Sequence, residues 1–221
     1  GMDELPQQAL SRQVLLNGQE TPPPERVELR AGPLTVRFEH GDLRFVRYGD
    51  REIIRRIYVA VRDPNWRTAE TLVSNLAIEQ GEASFRIAYE GRHRQREIDF
   101  DTRVTITGDE NGTLTFDMHG VARSTFWRGR IGILVLYPGA ACAGRPFTAR
   151  TPDGKLELGT FPKEIGPHQP VHDLVALTHE VVPGLMATVR FYGDVFEMED
   201  QRNWTDATYK VYSTPLRLPA P

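Results

Sequence analysis

The chain is poor in the residues and patterns that announce the commonest functions. It has one cysteine, Cys142, so an internal disulfide and a thiolate zinc cluster are both excluded, and a reducing cytoplasm is the expected compartment. No apolar run approaches the roughly 20 residues that cross a bilayer as a helix, and the N-terminus Met2-Asp3-Glu4-Leu5-Pro6 has neither the basic nor the apolar region of a signal peptide. Gly1 reads as tag-derived. Positive charge is not in excess: 27 Lys and Arg stand against 30 Asp and Glu, a net charge of −3 that leaves no electrostatic footprint for nucleic acid or an anionic membrane. There is no Gly-x-Ser-x-Gly elbow to raise a serine nucleophile, and no His-x-x-His or His-Glu-x-x-His spacing to hold a metal. No cofactor or metal is therefore expected.

Long helical periodicity is also scarce. Leu10 and Val14, four residues apart, predict one short amphipathic helix over residues 7–16, broken by Thr21-Pro22-Pro23-Pro24. Everything later reads as strands. Val27–Ala31, Leu34–Glu39, Leu43–Tyr48 and Glu52–Arg62 follow in quick succession, with His40-Gly41-Asp42 and Gly49-Asp50-Arg51 as hairpin turns. Leu72–Glu79, Ser84–Glu90, Ile98–Thr107, Thr113–Met118, Gly120–Thr125, Ile131–Tyr137, Phe147–Thr151, Leu156–Phe161, Leu174–Val181, Leu185–Phe191 and Asp194–Glu199 continue the pattern. About fifteen short strands with turn signals every eight to twelve residues indicate an all-β chain, a large antiparallel sandwich. The expected organisation is a tail over 1–26, a sandwich domain over 27–212, and a linker over 213–221 that leads to an absent C-terminal domain.

The densest collection of chemical groups is Glu197-Met198-Glu199-Asp200-Gln201-Arg202-Asn203-Trp204-Thr205-Asp206. It begins as a strand, so Glu197 and Glu199 share one face, roughly 6.6 Å apart, while Phe196 and Met198 take the core face. Carboxylates, a guanidinium, amides and an indole are the planar polar and aromatic groups that hold sugars and sugar acids. Arg202, Asn203, Trp204 and Asp206 are accordingly candidate substrate contacts, and a charged, self-paired hairpin is the bland alternative. Arg128 and Arg130, two residues apart, suit a clamp on a carboxylate, and pairing with strand carboxylates competes with that reading. Trp66, in the loop Asp63-Pro64-Asn65-Trp66, reads either as a sugar platform or as loop packing.

Water activated by a carboxylate or histidine fits the residue inventory better than a covalent nucleophile. Glu197 and Glu199 are the carboxylate candidates. His168, presented by the rigid Pro167-His168-Gln169-Pro170 loop, is the histidine candidate. His179 and Glu180, adjacent on a strand, point to opposite faces, whereas His40, His93 and His119 follow turns or basic loops and are expected in solvent. Arg92-His93-Arg94-Gln95-Arg96 is expected as a solvated hairpin tip, and Cys142 as a small buried hydrophobe.

Several phrases together resemble the N-terminal domain of the D-apionate lactonase family. They are Leu29-Arg30-Ala31-Gly32-Pro33-Leu34, Arg55-Arg56-Ile57-Tyr58-Val59-Ala60-Val61-Arg62-Asp63, Arg128-Gly129-Arg130-Ile131-Gly132, Cys142-Ala143-Gly144-Arg145-Pro146, Pro167-His168-Gln169-Pro170, and the run from Gly193 to Asp206 with Tyr212-Ser213-Thr214-Pro215. The resemblance implies a β domain preceding a TIM-type barrel in a bacterial-type catabolic hydrolase that opens a sugar-acid lactone, D-apionolactone to D-apionate. It assigns no catalytic residue to these positions. The architecture is also similar to the galactose-mutarotase-like supersandwich, which keeps a stand-alone carbohydrate-binding or aldose-epimerase-like domain as the alternative. The partners implied are a sugar-acid lactone or carbohydrate and the missing C-terminal domains.

Overall fold

A computed structural model describes residues 14–16, 26–62, 70–95, 98–122, 130–163, 171–192, 196–201 and 208–213. Nearly all of them are antiparallel strand, arranged in three sheets. The strands are β1 (Val14–Leu16), β2 (Arg26–Ala31), β3 (Leu34–Glu39), β4 (Asp42–Tyr48), β5 (Arg51–Arg62), β6 (Glu70–Gln80), β7 (Phe85–Gln95), β8 (Ile98–Gly108) and β9 (Leu114–Ala122). They continue as β10 (Arg130–Pro138), β11 (Pro146–Arg150), β12 (Leu156–Thr160), β13 (Val171–Leu174), β14 (Ala176–Val182), β15 (Leu185–Arg190), β16 (Phe196–Gln201) and β17 (Thr208–Ser213). The only described helix is the single turn α1 (Gly139–Cys142).

Turn chemistry sets the hairpins. Between β3 and β4 two residues, His40 and Gly41, take φ of 51° and 88°, and Glu39 pairs with Asp42 across them. Paired positive φ values match the right-handed twist of the flanking strands. Gly49 and Asp50 link Tyr48 to its partner Arg51 in the same two-residue manner.

An eight-stranded sheet, in the order β13-β16-β17-β10-β5-β4-β3-β2, is the spine. One of its faces is buried under the two smaller sheets. The five-stranded sheet β1-β6-β7-β8-β9 covers the β2 to β5 end, where Phe38 meets Tyr89 and the Tyr89 hydroxyl donates to the Gly41 carbonyl at 2.8 Å. The four-stranded sheet β12-β11-β14-β15 covers the other end, where Tyr137 of β10 packs against Phe161 and His179. One buried cluster runs through all three layers, from Leu29, Phe38 and Val46 through Ile87 and Ile106 to Val135, Phe147 and Leu177. This is the all-β sandwich that the strand spacing indicated. No helix of the described residues is long and apolar enough to cross a membrane.

Four expectations need correction. Residues 14–16, expected as the end of a helix, form β1, because Val14, Leu15 and Leu16 find ladder partners in Glu79, Ile78 and Ala77 of β6; a tertiary partner overrides a weak helical period. Residues 7–13 lie outside the described residues. The expected strand Leu174–Val181 is two strands in different sheets, β13 and β14, divided after Leu174. Thr113–Met118 and the start of Gly120–Thr125 are one strand, β9. Arg92-His93-Arg94-Gln95 is the end of β7 rather than a tip, and His93 is 1% exposed. Its Nδ1 lies 2.9 Å from Thr71 Oγ1 and its Nε2 lies 3.0 Å from Thr102 Oγ1. Neighbouring strands supply those hydroxyls, which replace the water that the local sequence led us to expect.

Candidate functional site

The face of the eight-stranded sheet that looks away from the shared core carries an unusual combination of groups. Directly opposed residues of an antiparallel sheet share a face, so register alone fixes the rows. One row runs Glu28, Arg37, Arg44, Arg56, Leu136, Lys210, Glu199 across seven strands. The next runs Tyr58, Leu134, Tyr212, Glu197. Positions 197 and 199, the carboxylate candidates, thus stand on the same face as Arg56 and Tyr58. Three strand spacings of about 4.8 Å put position 199 about 14 Å from position 56.

At the β4 to β5 end of this face the geometry is explicit. Arg56 donates from Nε to Asp42 Oδ2 at 2.7 Å, and its Nη2 lies 2.7 Å from the same oxygen. Its guanidinium carbon sits 3.6 Å from the centre of the Tyr58 ring, a cation–π stack. Arg44 Nη2 approaches Asp42 Oδ2 at 3.6 Å. Asp42 is itself buried. Loss of water pushes its pKa up, while Arg56, Arg44 and His40 pull it down. Beside this network Tyr58, Ala60, Leu134 and Leu136 make a second buried apolar cluster, separate from the main core. A buried carboxylate held by guanidiniums, next to an aromatic ring and an apolar floor, can orient a polyol and bind an acid group.

Arg130 opens β10, opposite Arg62 in register. His168, Arg128, Arg202, Asn203, Trp204, Asp206 and Trp66 lie outside the described residues. Asp42, Arg44, Arg56 and Tyr58 were not singled out from the sequence: Asp42 read as a turn residue and Arg56 as one position in a long strand. Alternation would have placed Arg56 and Tyr58 together, but only register places Asp42 beside them.

Cys142 is buried in α1, and desolvation pushes its thiol up to about 12, which removes it from nucleophilic chemistry. His179 and Glu180 do face opposite ways. His179 is buried against Tyr137 and Phe161, while Glu180 is half-exposed and accepts from the Gly184 amide at 3.1 Å. His40 and His119 are exposed, as expected. Among the described residues no three His, Cys, Asp or Glu side chains come close enough to hold a metal ion.

Comparison with known proteins gives the family. A family model described as the N-terminal domain of D-apionate lactonase matches residues 14–221. The D-apionate lactonase of Brucella anthropi is 38% identical over 208 residues, which cover 94% of this chain and 34% of the relative. The chain therefore spans about a third of the length of that relative. Its all-β sandwich lies wholly within a match that takes in every described strand, and the chain belongs to the D-apionate lactonase N-terminal domain family.

Proposed function

We propose that this chain is the N-terminal β domain of a cytoplasmic sugar-acid lactone hydrolase, and that the outer face of its eight-stranded sheet forms one wall of the substrate site. The observation that carries the reaction class is the match to a D-apionate lactonase over 94% of the chain. The shared face of Asp42, Arg56, Tyr58 and positions 197 and 199 supports the location.

Opening a lactone requires water to attack the ring carbonyl, donors to hold the resulting oxyanion, and a proton for the departing ring oxygen. In this reading Glu197 or Glu199 takes the proton from water. Arg130, Arg202 and Arg128 bind the carboxylate or hydroxyls of the sugar acid, and Trp66, Trp204, Asn203 and Asp206 complete the contacts. His168 is the alternative base. The remaining two-thirds of a chain as long as the relative supplies what this sheet lacks, so the 221-residue chain alone is expected to turn over lactone slowly or not at all.

The test compares D-apionolactone hydrolysis by this chain with that by a chain of the relative's length. Glu199→Gln and Arg202→Ala, made in the longer chain, should lower turnover while moving the thermal midpoint less than a core substitution would. Full turnover in stably folded variants removes these two residues from the site. Full-rate turnover by the 221-residue chain overturns the division of labour.

A further inference from the structure

The strand β4 is not regular. Thr35 pairs with Arg47 and Arg37 with Arg44, so Phe45 and Val46 together oppose the single residue Val36. This is a β-bulge, and Phe45 has a φ of 55°. Two other strands shift register at a residue of positive φ, β6 at Asn75 (52°) and β13 at Asp173 (53°). Asn and Asp enter the left-handed region readily; a phenylalanine does so at a real cost. Strain of this kind concentrates at functional sites.

The bulge changes which side chains leave the core. Simple alternation would send Phe45 and Arg47 to the face of Leu43. Instead Leu43 and Val46 are both buried, while Arg44 and Phe45 are half-exposed and Arg47 is exposed. Phe45 is absent from the side chains packed against the main core. Its ring is surrounded by cations: the guanidinium carbons of Arg37, Arg47 and Arg55 lie 5.2, 5.2 and 5.9 Å from its centre. Arg37 reaches Glu28 at 2.6 Å, and Arg55 forks onto Glu52 at 2.5 and 2.9 Å. Arg47 has no ion pair among the described residues, although it stands opposite Glu52 in register. Among the described residues Arg44 approaches only Asp42 Oδ2, the oxygen already held by Arg56, and its buried Nε has no hydrogen-bond partner there.

We propose that Arg44, Phe45 and Arg47, with Arg37 and Arg55 beside them, form a binding site for a small oxyanion on a sugar: the carboxylate of a sugar acid or the phosphate of a sugar phosphate. Glu28 and Glu52 balance two of the three guanidiniums around the ring, and the ring's negative face offsets only part of the charge left on Arg47. An anion between Arg44 and Arg47 relieves the rest and satisfies the unused donors. The planar guanidinium matches both oxyanions in geometry. The anion site rests on the bulge and its cations; only the choice of a sugar acid as ligand rests on the function proposed above.

The 221-residue chain is titrated at low ionic strength with gluconate, glucose 6-phosphate and glucose, followed by amide chemical shifts and thermal midpoint. Saturable binding of at least one of the two anions and none of glucose is expected. Arg44→Gln and Arg47→Gln should each weaken that binding about tenfold, the loss of one charge-assisted contact, with an unchanged circular dichroism spectrum. Failure of both anions to bind the wild-type chain overturns the site, and so does binding that survives unchanged in both variants. Binding of glucose 6-phosphate alone upholds the oxyanion site and assigns it to phosphate. Because no lactone turnover enters this experiment, the site can fail while the lactonase reading stands, and the reverse.

Discussion

Two buried histidines, one in each of the smaller sheets, have the same titration and opposite surroundings. His93 in β7 is held between Thr71 and Thr102, so both ring nitrogens have a hydroxyl within 3.0 Å. His179 in β14 lies among Tyr137 and Phe161, edge to face, and among the described residues its Nδ1 has no hydrogen-bond partner; the hydroxyl of Tyr137 has none either. Burial pushes both imidazoles down to about 4, with nearby Asp101 opposing the shift at His93 and Arg145 adding to it at His179. One is a polar group built into the fold with its partners. The other occupies a site where an apolar ring would serve. Desolvation alone does not reveal whether a buried histidine helps its fold; the neighbours of each nitrogen do.

Acid is the largest lever on this comparison. A histidine whose folded pKa lies near 4 and whose unfolded pKa is near 6.5 binds its proton mainly in the unfolded state. Stability is therefore intact above pH 6.5 and falls as pH drops toward 4, by about 2 kcal/mol per histidine at pH 5 and about 3 at pH 4. Urea denaturation from pH 7.5 to 4.5 should show that slope, and a flat profile would contradict the burial of both rings.

His93→Ala is the next largest. It removes the ring partner of the buried Thr102 hydroxyl and leaves a cavity, so about 3 kcal/mol of stability at pH 7 should be lost. A smaller effect is expected for His179→Leu, within about 1 kcal/mol of wild type at pH 7, because a buried ring whose Nδ1 lacks a partner among the described residues is exchanged for an apolar side chain. At pH 5 that variant should be the more stable protein, having lost its half of the acid sensitivity. If both substitutions cost the same at pH 7, the distinction between the two sites collapses. Smallest of all is Tyr137→Phe, expected within about 0.5 kcal/mol of wild type, since the hydroxyl it removes makes no bond among the described residues.

His93 also shows where the sequence stops being legible. Strands were readable wherever punctuation bounded them: His40-Gly41, Gly49-Asp50 and the Gly108 to Gly112 turn mark hairpins that the structure contains. His93 sits in Arg92-His93-Arg94-Gln95, which locally looks like a wet tip, and its partners come from 22 and 9 residues away. β1 and β17 were missed for the same reason: Val14 to Leu16 and Thr208 to Ser213 are strands because β6, β10 and β16 present ladders to them. Glu197 and Glu199 were legible as a strand pair. Their alignment with Arg56 and Tyr58 depends on β17 and β10 lying between, an order that alternation within one strand does not encode. The bulge at Phe45 was hidden too, since Leu43-Arg44-Phe45-Val46-Arg47 looks like ordinary strand until its register is known.

The three-residue strand β1 has a consequence for behaviour at high concentration. β6 runs from Glu70 to Gln80, and β1 occupies its free edge only at Ala77, Ile78 and Glu79. Among the described residues the stretch from Glu70 toward Leu76 has no ladder partner on that side, and the bulge at Asn75 kinks it. A second molecule seeking to add to the β6 edge meets β1 at one end and a twisted backbone before it, so this edge offers no long straight template for strand-to-strand growth. That edge is shortened from one side and bent from the other, which makes it a poor seed for fibril growth.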